Sequence, residues 1–352
     1  MSPRRHLALA LLLALGCGTT ASPGGSDSNL PIGRNGPYRL LDGQELPSGL
    51  CLFRENGVTF EDPAVLPLDL HRIAIYFARR DGARRSIRRV VVVDALRLES
   101  EPEEALASSL VWHGDSVGAP DVAITRDGFA MVFDTPAGLG LATSPDGRIW
   151  RAREQPLLTA DSTAGELTPL RSPTIVVLPD GAVIVAYESA GAVWSASSAS
   201  LDAPLRRVDP DTRTTRREAL LAPSDDSRDA GLVGYASGAI GDPSLRAEES
   251  LAGRTLYRLL FSARSAPFGL DGGSTFNRTL GIAGSFDGIH FSRVEAAVLT
   301  SRTDPTVRAP SAWSDGPLRT WLFLSGRCDS GGASEGIRVA VAPGNRRYPR
   351  TP

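Results

Sequence analysis

A short mark recurs five times along this chain: one residue, then Pro, then a small or acidic residue, then often an aliphatic one. It reads Asp62-Pro63-Ala64-Val65, Ala119-Pro120-Asp121-Val122, Ser172-Pro173-Thr174-Ile175 and Asp242-Pro243-Ser244-Leu245. Ala309-Pro310-Ser311-Ala312 supplies the fifth, with Asp304-Pro305-Thr306-Val307 competing for its place. Successive prolines lie 57, 53, 70 and 67 residues apart. Self-similarity at such a period marks stacked supersecondary units, each too small to bury its own apolar face.

Similar strands follow each mark. After Pro120 a short strand (Val122–Thr125) leads through Arg126-Asp127-Gly128 to a strong one (Phe129–Phe133). After Pro173 the order is Ile175–Leu178, Pro179-Asp180-Gly181, Ala182–Tyr187, and after Pro310 it is Ala312-Trp313, Ser314-Asp315-Gly316, Arg319–Leu324. The strong strands after Pro63 and Pro243 are Arg72–Ala78 and Thr255–Ala263. Asp-Gly between apolar runs signals a hairpin, because Gly accepts the positive φ of a tight turn. Third strands are expected at Ile87–Val93, Leu139–Thr143, Ala192–Ser197, Leu280–Gly284 and Ile337–Ala342. Two of them run into Ser144-Pro145-Asp146-Gly147-Arg148-Ile149-Trp150 and Ser285-Phe286-Asp287-Gly288-Ile289-His290-Phe291, turns ending in an aromatic that can cap a unit. No long amphipathic helix interrupts the pattern, and the acidic stretch Glu99–Glu104 reads as an exposed loop. Five antiparallel units predict an all-β, five-bladed β-propeller. A β-sandwich with accidental hairpin similarity is the alternative.

The N-terminus reads as an address. Arg4 and Arg5 precede the apolar run Leu7–Leu15, too short to span a bilayer, and Gly16-Cys17 follows. Residues 1–16 are expected to be a signal peptide. Ala14-Leu15-Gly16-Cys17 resembles a bacterial lipobox, which implies lipidation at Cys17; ordinary secretion is the alternative. Residues 17–36 then form the lipidated Cys and a Gly/Ser/Thr/Pro-rich tether, and 37–352 the propeller. The expected place is the cell envelope, on the outer membrane or the periplasmic face, with the membrane met through the lipid. In that oxidising setting Cys51 and Cys328 are expected to pair, the alternative being two buried thiols. The four His are scattered without ligand spacing, so neither a metal nor a cofactor is expected. A formal charge of −2 gives no electrostatic reason to bind nucleic acid, and a monomer is expected.

The Pro mark, the x-Asp-Gly hairpin and the Ser-x-Asp-Gly-x-x-aromatic turn together resemble the five-bladed propellers of arabinanases, levansucrases and invertases, with glycoside hydrolase family 43 the nearest comparison. The resemblance runs from about Gly57 to Ala342. Six-bladed sialidases compete, but their turn has one more residue between Asp and Gly. The family resemblance implies an Asp before Pro in the first blade acting as base or nucleophile, a later Asp that orients and tunes, and a Glu that protonates the leaving oxygen. Two carboxyl groups flanking the sugar bond are what such chemistry needs.

Carried over, Asp62 matches the first-blade acid, and Asp242 stands where the Glu is expected. Asp121, Ser172, Arg171 and Arg308 are the expected substrate-binding residues, with Ser172 where the family often has Asp. No mark carries Glu. Glu166, Glu188, Glu248 and Glu249 lie nearby without the family spacing, which leaves the general acid unassigned. The bland reading of Asp62 and Asp242 is a turn residue bonded to backbone N–H groups.

Arg79, Arg80, Arg84, Arg85, Arg88 and Arg89 surround Asp81-Gly82 at a hairpin tip, either a contact for anionic glycans or head groups or a solvated loop. Trp112, Trp150, Trp194, Trp313 and Trp321 either stack on sugars or pack between blades. Two functions follow: an envelope propeller that binds a glycan or another partner without turnover, and, as the alternative, a divergent glycoside hydrolase with Asp62 and Asp242 as its carboxylates.

Overall fold

Runs such as Ile73–Ala78 have no polar face, and in the structure every residue of that run is shielded from solvent. Successive side chains of a strand point to opposite faces. Ile73, Ile75 and Phe77 pack with Trp313, Trp321 and Phe323 on one side, while Ala74 and Tyr76 pack with Met131, Phe133 and Trp150 on the other. A sheet apolar on both faces must stand between two others, and a ring of such sheets is a propeller.

The computed structural model describes residues 36, 38–46, 49–211, 217–223, 238–249, 253–264, 278–293, 298–300, 306–314, 319–329 and 334–343. The signal segment, Cys17 and the tether, apart from Gly36, lie outside them. Blade one comprises Thr59–Pro67, Arg72–Asp81, Arg84–Val93 and Arg97–Leu98, with Glu103–Leu106 also paired to its third strand. Blade two is Gly118–Thr125, Gly128–Thr135, Gly138–Ser144 and Arg151–Ala152. Blade three is Arg171–Val177, Val183–Ser189, Ala192–Ser198 and Arg206–Arg207. Blade four is Ala239–Glu249, Thr255–Arg264, Arg278–Ser285 and Ser292–Arg293, with Leu299–Thr300 on its third strand. Blade five is Arg308–Ser314, Arg319–Arg327 and Glu335–Pro343, finished by Arg39–Leu40 from the other end of the chain. Five apolar clusters fill the five spaces between neighbouring blades. The five-bladed propeller read from the repeat is the fold of the protein.

The Pro mark has one physical meaning in all five blades. Each innermost strand slips register there, between Glu61 and Ala64, Gly118 and Asp121, Arg171 and Thr174, Gly241 and Ser244, and Arg308 and Ser311. The residue before Pro is left-handed each time, at φ 55° for Asp62, 43° for Ala119, 45° for Ser172, 47° for Asp242 and 51° for Ala309. Such a backbone costs on the order of 1–3 kcal/mol for a residue with a Cβ. A bulge on an innermost strand also suits Pro, which has no N–H to give to a ladder. The fifth mark is therefore Ala309-Pro310, not Asp304-Pro305.

Neighbouring blades hold these bulges by a repeated bond. Ser325 Oγ accepts the N–H of Asp62 at 2.8 Å, and Ser262 Oγ that of Ala309 at 3.0 Å. Asp134 Oδ2 accepts the N–H of Ser172 at 3.3 Å, and Glu188 Oε2 that of Asp242 at 3.1 Å. The four acceptors share one register position, on the second strand opposite the residue two before Pro.

Arg39 pairs with Val341 and Leu40 with Ala340, so the N-terminal strand closes the ring on the last blade. A disulfide joins Cys51 to Cys328 across 277 residues beside that seam, as the sequence reading expects. The Ser-x-Asp-Gly turns form as read: Asp146 Oδ1 accepts the N–H groups of Arg148 and Ile149, and Asp287 Oδ1 those of Ile289 and His290. Glu99–Glu104 departs from the loop reading at its end, because Arg88, Arg89 and Arg148 pair with Glu104 and Glu103 and draw that segment onto blade one.

Candidate active site

At the end of the axis where the marks begin, the blades enclose a pocket of about 750 Å³, a size common for small-ligand sites. Its walls carry Glu61, Asp62, Asp134, Glu188 and Asp242, and also Arg80, Arg85, Arg171, Arg264 and Arg308. The left-handed bulges present Asp62, Ser172 and Asp242 to it. The residues one step earlier in three blades are Glu61, Arg171 and Arg308, which line it too. In the other two that step is glycine. A Cβ on Gly118 would stand 2.1 Å from Arg85 Nη2, and one on Gly241 2.2 Å from Glu188 Oε2. The two glycines vacate the volumes that these charged groups occupy.

One wall is an ion-paired network. Arg85 lies 3.1 Å from Glu61, 3.0 Å from Asp62 and 2.9 Å from Asp134. Arg308 reaches Asp62 at 2.5 Å and Glu61 at 2.7 Å, and Arg80 reaches Glu61 at 2.6 Å. Buried charges persist only with such partners. Burial alone would lower both guanidinium pKa values, yet the carboxylates around them raise Arg85 and Arg308 above the ordinary arginine value. Burial pushes the Asp134 carboxyl up, against the pull of Arg85.

The opposite wall is built differently. Glu188 is pushed up to about 7, first by burial and then by the negative charge of Asp242, against the pull of the Asp242 N–H, Arg171 and Arg264. Ser172 Oγ donates to Asp242 Oδ1 at 3.1 Å. Glu188 is thus a carboxyl group able to hold a proton near neutrality, facing the same pocket as the arginine-paired Asp62.

Of the residues expected from sequence, Asp62, Asp242, Ser172, Arg171 and Arg308 line this pocket. Asp121 does not. It faces the narrow channel below the proline ring, where Oδ2 accepts from Thr174 Oγ1 at 2.6 Å and from the Ile175 N–H at 2.9 Å, and where Arg246 pairs with it at 3.0 Å. Thr174 and Ser311 accept the N–H groups of Leu245 and Val65 in the same way, so Asp121 ties blades together. Glu166 is buried elsewhere against Arg207, Arg217 and Tyr187, and Glu248 pairs with Arg258. The side chain of Glu249 lies outside those described.

Sequence reasoning missed Asp134 and Arg264 and left Glu188 without a role. A usable signal exists in Phe133-Asp134-Thr135 and Tyr187-Glu188-Ser189, an acid after an aromatic at the end of each second strand. The arginine hairpin divides: Arg80 and Arg85 turn into the pocket, while Arg79 and Arg88 pair outside it with Glu55 and Glu104. Trp150, Trp194, Trp313 and Trp321 are buried between blades.

Fold and pocket together define a five-bladed propeller with a charged axial site. No protein-family model matches the chain, and no curated protein sequence does. Solved structures do. A candidate glycoside hydrolase from Parabacteroides distasonis is similar at 15% identity and TM-score 0.63, over 87% of this chain and 96% of its own. A thermostable family-43 glycoside hydrolase is similar at 14% identity and TM-score 0.54, over 80% and 88%. An α-L-arabinofuranosidase from Podospora anserina, solved in complex with cellotriose, is similar at 10% identity and TM-score 0.57, over 86% and 98%. The shared feature is the fold of five-bladed propeller glycoside hydrolases; at such identity the likeness assigns no activity.

Proposed function

We propose that the pocket is the active site of a glycoside hydrolase, with Glu188 as general acid and Asp62 as the opposing carboxylate. The observation that carries this reading is the contrast along one register position. Ser262 and Ser325 accept the next blade's bulge N–H with a neutral hydroxyl, so that bond does not require a carboxyl group at 188. A carboxyl group there is buried beside Asp242 at an energetic cost and stays protonated up to about pH 7. A general acid needs that state.

In the proposed reaction Glu188 gives its proton to the glycosidic oxygen as the C–O bond breaks. Asp62, ion-paired with Arg85 and Arg308, either attacks the sugar or activates water. Asp242 tunes Glu188 through its charge, and Ser172 holds Asp242. The solved relatives are glycoside hydrolases by description, one with an oligosaccharide bound, and this supports a carbohydrate substrate.

One observation favours glycan binding without turnover: both oxygens of Asp62 are already engaged by guanidinium groups. Hydrolysis of an arabinan, xylan and fructan panel beside an Asp62→Ala variant separates the readings. Turnover lost in the variant supports the hydrolase, and no turnover with intact glycan binding supports the binder.

We infer further that the chain is exported and lipidated at Cys17, holding the propeller on the envelope by residues 18–36. The basic start, apolar run and lipobox-like Cys support this. Palmitate labelling that persists in a Cys17→Ala variant would contradict it.

A further inference from the structure

The ten charged side chains of the pocket divide into two groups of unlike balance. Glu61, Asp62 and Asp134 are matched by Arg80, Arg85 and Arg308, all within ion-pair distance. The other group is Glu188, Asp242, Arg171 and Arg264. Here Glu188 accepts the backbone N–H of Asp242, and burial together with the Asp242 charge lets Glu188 hold a proton near neutrality. Among the described residues, neither Arg171 nor Arg264 has a carboxylate within ion-pair distance, and both are exposed to the pocket. They act on Glu188 only through their longer-range field. This wall therefore has one positive charge in excess and two guanidinium forks free to bind.

The two arginines are well placed to act together. Arg171 begins the inner strand of blade three, directly opposite Glu188 in the ladder, and Arg264 ends the second strand of blade four. The described lining holds no aromatic ring on which a neutral sugar face could stack. A planar guanidinium matches a carboxylate or phosphate through paired N–H donors.

We propose that Arg171 and Arg264 form an oxyanion subsite beside Glu188 that takes the carboxylate of an acidic sugar, making a uronate-containing glycan the substrate class. The inference rests on the reading of the pocket as a glycan site. The same forks fit a free phosphate, and the test separates the two sources.

The experiment is calorimetric binding of oligogalacturonate, and of xylo- and arabino-oligosaccharides of equal length, to the soluble domain. It is repeated with Arg171→Gln, with Arg264→Gln and with added inorganic phosphate, and each oligosaccharide is also assayed for cleavage. The acidic oligosaccharide should bind about tenfold or more tightly than the neutral ones, and either variant should erase most of that preference. Phosphate that binds through both arginines and raises turnover of a neutral oligosaccharide would identify the oxyanion as free phosphate. Equal affinity for acidic and neutral sugars with no effect of phosphate overturns the subsite, as does a preference that survives both variants. Acidic sugar bound but never cleaved leaves the subsite standing and removes the hydrolase. Neutral glycans cleaved without any acidic preference do the reverse.

Discussion

Glu188 Oε2 accepts the backbone N–H of Asp242 at 3.1 Å, so a carboxyl group of blade three supports the bulge that aims a carboxylate of blade four into the same pocket. The bond couples the two groups in charge as well as in place. With Glu188 at about 7, turnover should hold on the acid side and fall as pH rises through that value. Asp242→Asn removes the neighbouring charge, so the alkaline limb of the kcat/KM profile should move down by about one unit. A limb that stays in place would show that another group sets it.

The same shift affects stability with a definite sign. Between its ordinary value of 4.5 and about 7, Glu188 holds a proton in the folded chain and releases it in the unfolded one. Its contribution is therefore fully present below 4.5 and lost as pH rises through about 7. Glu188→Gln keeps an acceptor for the Asp242 N–H without the charge. Urea unfolding should find it more stable than the parent above pH 7, by on the order of 2 kcal/mol, and indistinguishable in acid.

Gly241 and Gly118 are positions where one methyl group reaches the charged groups of the site. Neither has a positive φ, and the atoms that a new Cβ would meet are the far ends of Glu188 and Arg85. Gly241→Ala should displace the Glu188 carboxyl and cut kcat by about tenfold to a hundredfold, with Tm shifted by only a few degrees. Gly118→Ala displaces Arg85 and takes from Asp134 its ion-pair partner, while Asp62 keeps Arg308, so a larger loss of stability is expected. Activity and melting measured on both variants check the pair.

The ring closes at one seam, where Arg39–Leu40 and the Cys51–Cys328 bridge meet blade five. Chain-entropy reasoning gives a loop of that length at most ~5 kcal/mol. Cys51→Ser with Cys328→Ser should lower the unfolding free energy by about 2–5 kcal/mol in denaturant titration. Blades two and three should keep their amide protection longest, being remote from the seam.

Blades were legible in this chain because a sheet buried on both faces must be written as an apolar run, as in Ile73–Ala78, and because each bulge needs its Pro. Glu188 was legible only as an acid after an aromatic near the end of a strand, and its role was not legible. Its place depends on pairing with Arg171 and on the space left by Gly241, a relation between two blades that no local spacing records. Asp121 lies outside the pocket for a related reason: it follows Pro rather than preceding it, and only the preceding position reaches the pocket as well as the channel below the proline ring. Arg39–Leu40 gives no signal, since two residues carry no period.

In the proposed reaction Glu188 is a carboxyl group kept for chemistry and not for the bulge bond. The direct test is turnover on the best glycan of the panel by Glu188→Ser, which installs the residue that blades four and five use at that register. The expected variant is a folded protein of near-parental Tm that binds the glycan and turns it over at least about a hundredfold more slowly. Turnover near that of the parent would show that Glu188 is a structural acceptor and that the acid lies elsewhere.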